Sequence, residues 1–295
     1  MLKVSIIVPC FNQAQYLNEA LESVLNQTHA NWECIIVNDG SSDITEEVAK
    51  NWVEKDNRFK YVYKENGGLS SARNYAIAMA EGDYYQFLDA DDVLDNQKLE
   101  QSLNQITLNS GKNVIISNFR MFIDDINKSS PPYCTLKSEL FTFKNVLFDW
   151  DLVFNIPIHC GLFESSFFQD FKFPEELKSK EDWYMWLCFL RNSPDIHFID
   201  LPLAYYRSNP NSLTKNEVFM LENYFKALIY VEKLISEKEY ITYLKHLVYN
   251  KNLKIIGLEK KINNYQKSKG FMILQKTKKN KIILGLFRII KKINN

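Results

Sequence analysis

The sequence predicts an α/β protein: a mixed, mainly parallel sheet flanked by helices, with a helical C-terminal appendage. Three observations carry this. Short continuous apolar runs alternate with amphipathic stretches through the first hundred residues, the signature of βαβ units whose strands are buried on both faces. Each of the first four apolar runs is followed at once by a polar segment rich in Gly, Asp, Asn or Ser. Beyond Glu217 the apolar positions recur only at helical spacing.

Taken in order, Val4–Val8 is a short apolar run bounded by Pro9 and reads as a buried strand. Tyr16, Leu17, Ala20, Leu21, Val24 and Leu25 then recur as one helix face. Trp32–Val37 is the second strand, and a helix runs from Asp43 through Val48 and Trp52. Phe59–Tyr63, a helix over Leu69–Ala80 and the strand Tyr84–Leu88 follow, then a helix beginning near Asn96 and a strand at Val114–Ser117. Past residue 120 the pattern loosens. Ser129–Pro132 is a turn, and mixed short elements continue to Arg207. Val218, Leu221, Phe225, Leu228, Ile229 and Val231 open a long helix, with no strand signal after it. These shifts place a boundary near 212–216, between a body at 1–213 (halves of about 1–118 and 119–213) and a helical region at 214–295.

Composition narrows the class. Of 295 residues 46% are hydrophobic, and there are only 9 Gly and 8 Pro, which excludes a disordered or collagenous chain. No apolar run is long enough to span a bilayer. The N-terminal apolar stretch meets Pro9-Cys10 rather than a small-residue cleavage site, so it reads as no signal peptide. Cys10, Cys34, Cys134, Cys160 and Cys188 are scattered and form no C-x-x-C, which argues against a disulfide framework or zinc site and for reduced thiols in the cytoplasm. A net charge of zero conceals an asymmetry: residues 251–295 carry a net +12, the rest −12.

In open α/β sheets ligands bind outside the carboxyl ends of the strands. That rule selects Pro9-Cys10-Phe11-Asn12, Asn38-Asp39-Gly40-Ser41-Ser42-Asp43, Asn66 to Asn74 and Asp89-Ala90-Asp91-Asp92, which converge on one rim. Three carboxylates within four residues repel one another unless a cation joins them, and oxygen donors suit Mg²⁺ or Mn²⁺. The plainer alternative is a helix cap with dipole-favouring acids. Asp39 could accept the imide N–H of a uracil, whereas Ser42 and Asp43 suit capping. Gly67-Gly68 lets backbone approach a ligand, and Arg73 could meet a base, ribose or phosphate or form a surface ion pair. The absence of G-x-G-x-x-G after the first strand and of G-x-x-x-x-G-K-[ST] disfavours a dinucleotide dehydrogenase and a P-loop enzyme.

In order, spacing and strand-end placement, Val4–Asn12, Ile36–Asp43, Gly67–Asn74 and Phe87–Asp92 resemble the successive motifs of family 2 glycosyltransferases, with a looser likeness to about 213. The resemblance implies a GT-A fold and inverting transfer from a nucleotide sugar. It implies that Pro9 and Asp39 line the nucleobase pocket and that Phe11 and Asn12, at the end of the first motif, bind substrate. It implies further that Gly68 and Arg73 meet the nucleotide, that Asp89 contacts ribose or metal, and that Asp91 ligates the metal. Lys180–Leu187 resembles the family's E-D motif, which makes Asp182 the catalytic base with Glu181 beside it, while Trp183 and Trp186 suit stacking on a sugar. Helix capping and core packing are the plainer readings of these residues. Tyr205–Asn209 resembles the late Y-R-x-H segment, bringing Arg207 to the site with Asn209 where a His often stands; His159 falls at the expected floor of the acceptor pocket.

The basic tail, 276–295, groups Ile282, Ile283, Leu286, Phe287, Ile290 and Ile293 on one helix face opposite Lys281, Arg288 and Lys292, the pattern of a helix in an anionic membrane interface. Docking on the acidic body or on a second subunit, as in a homodimer, is the alternative; the acidic body disfavours nucleic acid. The reading that emerges is a cytoplasmic, membrane-associated, Mn²⁺- or Mg²⁺-dependent transferase of hexosyl or N-acetylhexosaminyl units from a UDP-sugar to a glycan or lipid-linked acceptor in surface polysaccharide biosynthesis. Its rivals are a nucleotidyltransferase on a similar sheet and a nucleotide-binding protein without turnover.

Overall fold

Every residue of Val4–Cys10 (β1) and of Trp32–Asp39 (β2) is buried, as two neighbouring strands covered on both faces by helices must be. The computed structural model describes residues 1–106, 112–209 and 213–267. In it β1 pairs in parallel with β2 and with β4 (Tyr84–Phe87), and β2 in parallel with β3 (Phe59–Lys64). Helices α1 (Ala14–Leu25), α2 (Thr45–Lys55) and α3 (Leu69–Ile77) make the crossovers. The Asp43 carboxylate joins two of them, accepting the Ala14 amide at the start of α1 and the Thr45 amide at the start of α2.

The sheet then changes character. Its order is β3-β2-β1-β4-β7-β6-β8-β5, with β5 at Val93–Leu94, β6 at Asn113–Phe122, β7 at Gly161–Glu164 and β8 at Asp195–Arg207. Strand β7 is antiparallel to both β4 and β6, β8 is parallel to β6, and β5 is antiparallel to β8. The mixed sheet and flanking helices agree with the fold class expected. Strands β5, β7 and β8 are additions to it. In β8 the register against β6 slips around Asn118, opposite Pro202, which has no N–H to give a ladder. Helix α4 (Lys98–Leu103) and α5 (Phe143–Asp149) are short; α6 spans Glu181–Arg191.

At the rim opposite the strand carboxyl ends, Glu33 ties three strands together. It accepts from Ser5 Oγ at 2.6 Å, Lys60 Nζ at 2.7 Å, the Glu81 amide at 2.8 Å and Lys3 Nζ at 3.0 Å. Burial pushes its carboxyl up, but the bonds from Lys60, Ser5, the Glu81 amide and Lys3 prevail and bring it down to about 2.

Internal contacts divide the chain after Ser236 rather than near 212–216. Helix α7 (Glu217–Leu234) therefore belongs to the first unit. Its Asn223 Oδ1 accepts the Lys178 amide, the Tyr230 hydroxyl donates to Glu176, and Tyr224 stacks on Trp183 at 5.5 Å and 15°. The second unit contains α8 (Glu237–Lys267), on which Tyr243 is the one buried side chain. The amphipathic segment 276–295 lies outside the described residues. Among the described residues no helix is long and apolar enough to cross a membrane, and all five cysteines are free.

Candidate active site

The first polar loop is built around Asp39 at the end of β2. Its carboxylate accepts the Gly67 amide at 3.0 Å and the Gly68 amide at 2.7 Å, and pairs with Lys64 Nζ at 2.7 Å. Two glycines are needed where they stand. Gly40 has φ +74°, and a Cβ there would lie 2.7 Å from the Asn66 amide nitrogen; Gly68 has φ +89°, and a Cβ there would lie 2.8 Å from Lys178 Nζ. Lys178 also donates to the Gly67 carbonyl at 2.6 Å, setting a second cation beside the loop. Asp39 is buried and its oxygens are shared among these donors, so it first organises the glycine loop. Pro9 is buried within β1, whereas Phe11, just past the strand, is 48% exposed. Asn12, with φ +52°, accepts the Ser42 amide at 2.8 Å and closes the space between the first two loops.

The acidic turn after β4 treats its three carboxylates differently. Asp89 pairs with Arg73 at 2.8 Å. Asp92 is buried, accepts the Arg207 amide at 2.8 Å and meets His159 Nδ1 at 2.8 Å. Asp91 forms no ion pair among the described residues. Burial, then the neighbouring Asp92 and Asp89 charges, push its carboxyl up to about 7, opposed by its own backbone amide and the Asn209 side chain. Carboxylate oxygens strained by like charge are a donor set that a hard divalent cation would relieve. Among the described residues no three His, Cys, Asp or Glu side chains converge as a ready cluster. Asp91 and Asp89 therefore fit a cation that takes its other oxygens from a diphosphate and water.

Arg73 joins this turn to α6. Its guanidinium is 1% exposed, with one nitrogen 2.8 Å from Asp89 and another 2.8 Å from Glu181, while Phe87 and Phe173 lie against it. The third nitrogen, Nε, has no hydrogen-bond partner among the described residues. Arg73, expected to meet the nucleotide, here bridges two carboxylates, on a helix turn that faces inward with Ser70, Ala72 and Ala76. Glu181 is likewise buried in this bridge rather than open to substrate.

Asp182, one residue on, is partly exposed, and its Oδ1 accepts the Trp183 amide at 2.7 Å. Burial raises its carboxyl well above the ordinary range and Glu181 adds to this, against Lys180 and Arg73. Trp183 and Trp186 do not stack on a sugar. Both are fully buried, and their indole N–H groups donate to the Val146 and Ile156 carbonyls. Arg207 is also committed internally. Its side chain donates to the Asp91 carbonyl at 2.7 Å and the Ile123 carbonyl at 2.7 Å, bonds Glu19, and lies over Tyr16 and Phe122. It fixes the backbone of the acidic turn.

The residues that the motifs missed are aromatic. Tyr206 is half-buried beside His159, with ring centroids 5.9 Å apart and 24° between planes, and feels the charges of Asp92, Asp91, Asp89 and Asp182. Tyr133 is 51% exposed, 6.0 Å from Tyr206, feels Asp182 as well, and has its hydroxyl bonded to Asn155. Tyr206 was visible inside the Y-R segment; Tyr133 follows the Ser-Ser-Pro-Pro turn, which carries no chemical signal.

Comparisons with known proteins identify the family and the fold. The family model described as Glycosyl transferase family 2 matches residues 5–171. An uncharacterized glycosyltransferase of Rickettsia prowazekii is 36% identical over 224 residues, covering 75% of this chain and 69% of that protein. The uncharacterized glycosyltransferase EpsJ of Bacillus subtilis is 32% identical over 224 residues, covering 72% and 63%. Among solved structures, S. aureus TarS 1–349 in complex with UDP superposes with a TM-score of 0.62 at 23% identity, over 82% of this chain and 70% of that one. The mannosyltransferase PcManGT of Pyrobaculum calidifontis, in complex with GDP-Man and Mn²⁺, superposes with a TM-score of 0.61 at 13% identity, over 98% and 87%. The fold is of the GT-A type, and the chain belongs to glycosyl transferase family 2.

Proposed function

We propose that the protein transfers a sugar from a UDP-sugar to a hydroxyl of a glycan or lipid-linked acceptor, with inversion at the anomeric carbon. The observation that carries this is the Arg73 bridge. It ties the acidic turn, where a diphosphate would sit, to the first turn of α6, where Asp182 stands partly exposed with a raised carboxyl. TarS was crystallised with UDP and with UDP-GlcNAc, and PcManGT with GDP-Man and Mn²⁺, which supports a nucleotide-sugar donor of this kind.

Phe11 offers an exposed ring to the base at the mouth of the glycine loop, and Lys178 offers a cation beside it. Asp91 and Asp89 would hold Mn²⁺ or Mg²⁺, which when bound neutralises charge on the departing diphosphate. Asp182 Oδ1 is held by the Trp183 amide, leaving Oδ2 to take the proton of the acceptor hydroxyl. The acceptor oxygen then bonds to the anomeric carbon as the bond from that carbon to the phosphate oxygen breaks. The diphosphate carries away the electron pair and Asp182 keeps the proton. Tyr133 and Tyr206 supply a ring wall beside Asp182, suited to a sugar face of the acceptor.

The test is UDP release by the purified chain across a panel of UDP-sugars with Mn²⁺ or EDTA. EDTA-sensitive hydrolysis of one donor is expected, and Asp91→Asn and Asp182→Asn should each abolish transfer with the fold intact. Pyrophosphate release instead of UDP would indicate a nucleotidyltransferase. UDP binding without any turnover, acceptors included, would indicate a binding protein.

A further inference from the structure

Helix α8 carries a seven-residue repeat that the site does not use. Ile241, Val248, Ile255 and Ile262 recur at intervals of seven, and Leu244, Lys251, Leu258 and Tyr265 each follow by three. These are the a and d positions of a heptad. A strict seven-residue stripe drifts around a straight helix and stays on one seam only when two helices supercoil.

The stripe is open. Ile241, Val248, Ile255, Leu258, Ile262 and Tyr265 are between 44% and 61% exposed. Tyr243, the buried residue, falls at position c, off the seam. Gly257 weakens the helix from within: a Cβ there would meet nothing within 4 Å, so no close packing requires it. A glycine inside a helix costs about 1 kcal/mol against alanine. A helix so built is not held by propensity; its apolar stripe has to be covered.

We propose that α8 pairs with α8 of a second copy of this chain as a parallel, in-register, two-stranded coiled coil. The self-complementarity is specific. β-branched residues fill all four a positions and Leu two of the d positions, the combination that favours two parallel strands. In that register Lys254 at g faces Glu259 at e of the second copy, the one acid beyond residue 250. An antiparallel pair would align g with g and set Lys254 and Lys261 on one row against the same lysines of the second copy. Lys260 and Lys267 fall at f, farthest from the seam. Lys251 is the one charged layer. Its stem lies in the seam while its ammonium reaches water, a feature that fixes register at a cost in stability.

The experiment uses the full chain in sedimentation velocity and light scattering across a concentration series. A dimer is expected. Val248→Glu with Ile255→Glu should leave a monomer with lowered helicity and unchanged nucleotide binding, and Lys251→Leu should tighten the dimer by at least about tenfold. Under a mild oxidant, Val248→Cys alone should give a disulfide-linked dimer above the background of the native cysteines. Antiparallel pairing centred on Ile255 would instead need Val248→Cys in one chain and Ile262→Cys in the other, and that result overturns the arrangement. A wild-type monomer at high micromolar concentration overturns the proposal, whether its stripe is covered by the chain's own C-terminal residues or, as flotation would reveal, by vesicles of anionic lipid. A dimer that survives the double Glu substitution overturns it too.

Discussion

Replacing Arg73 by methionine separates a positioning role from a substrate contact. The guanidinium is 1% exposed, and it serves Glu181, whose side chain is 7% exposed, and Asp89, at 31%. Removing one member of a buried pair leaves an uncompensated charge, at about 3–5 kcal/mol. The Asp89 arm is partly solvated and adds no more than about 1 kcal/mol. The Glu181 arm therefore dominates, and Arg73→Met should lower stability by about 4 kcal/mol, read as a shift in the urea midpoint. Adding Glu181→Gln removes the orphaned charge, so the double variant should recover more than half of that loss. With the bridge gone, α6 loses its tie to the acidic turn, and Asp182 its placement. The turnover number should fall at least about tenfold while the affinity for UDP by calorimetry stays within about twofold. Lost UDP affinity with an unmoved urea midpoint would refute this, because it would mean that the guanidinium binds nucleotide, as its place in the motif implied.

Four further outcomes are expected. Asp182 must be ionised to accept a proton, and its carboxyl is raised, so turnover should fall as pH drops below neutrality, by up to about tenfold per unit; a flat profile between mildly acidic and neutral pH would exclude it as the base. Glu33 is lowered in the folded chain, so its stabilisation is complete above its ordinary pKa of 4.5 and lost as pH falls towards 2; Glu33→Gln should cost on the order of 2 kcal/mol at neutral pH and flatten the acid limb of a urea-unfolding series. Tyr133→Ala should raise the acceptor KM about tenfold and leave donor hydrolysis unchanged, since the ring packs on Tyr206 and feels the Asp182 charge. Gly68→Ala places a Cβ at φ +89° against Lys178 Nζ at 2.8 Å, and should cost about 1–3 kcal/mol in thermal or urea unfolding and weaken UDP binding.

What could be read from the sequence follows from how much each element depends on distant partners. Strands β1 to β4 are short apolar runs with helices between them, and their periodicity alone is decisive. Strand β8 is not decipherable in that way. It is largely half-buried, carries Pro202, and finds its parallel partner β6 some 80 residues away. Strand β5 is two residues long and exists only because β8 passes beside it. The misplacement of Trp183 has a different cause. Trp183, Trp186, Leu187 and Leu190 share one face of α6, and this spacing already marks a core stripe. Adjacency to Asp182 drew the indole towards the substrate, although neighbouring helical residues point about 100° apart. The same geometry sends Arg73 inward beside Ala72 and Ala76.

The three carboxylates after β4 were legible as a cluster, but their division of labour was not, because it is decided by partners from three other segments. Asp89 is neutralised by Arg73 of α3. Asp92 is occupied by His159, before β7, and by the Arg207 amide at the end of β8. Arg207 in turn holds the Asp91 carbonyl and Ile123, which fixes the turn without giving its charge to the Asp91 carboxylate. Asn209 offers Asp91 an uncharged amide. Asp89 and Asp92 thus have Arg73 and His159 as pairing partners, whereas Asp91, with only uncharged donors, forms no ion pair among the described residues. Under the proposed function such a site would bind a divalent cation more readily when a diphosphate arrives with it, since Asp91 would supply one strong ligand and the donor the rest. The metal and the nucleotide would then be coupled ligands, each raising the affinity of the other by the same factor.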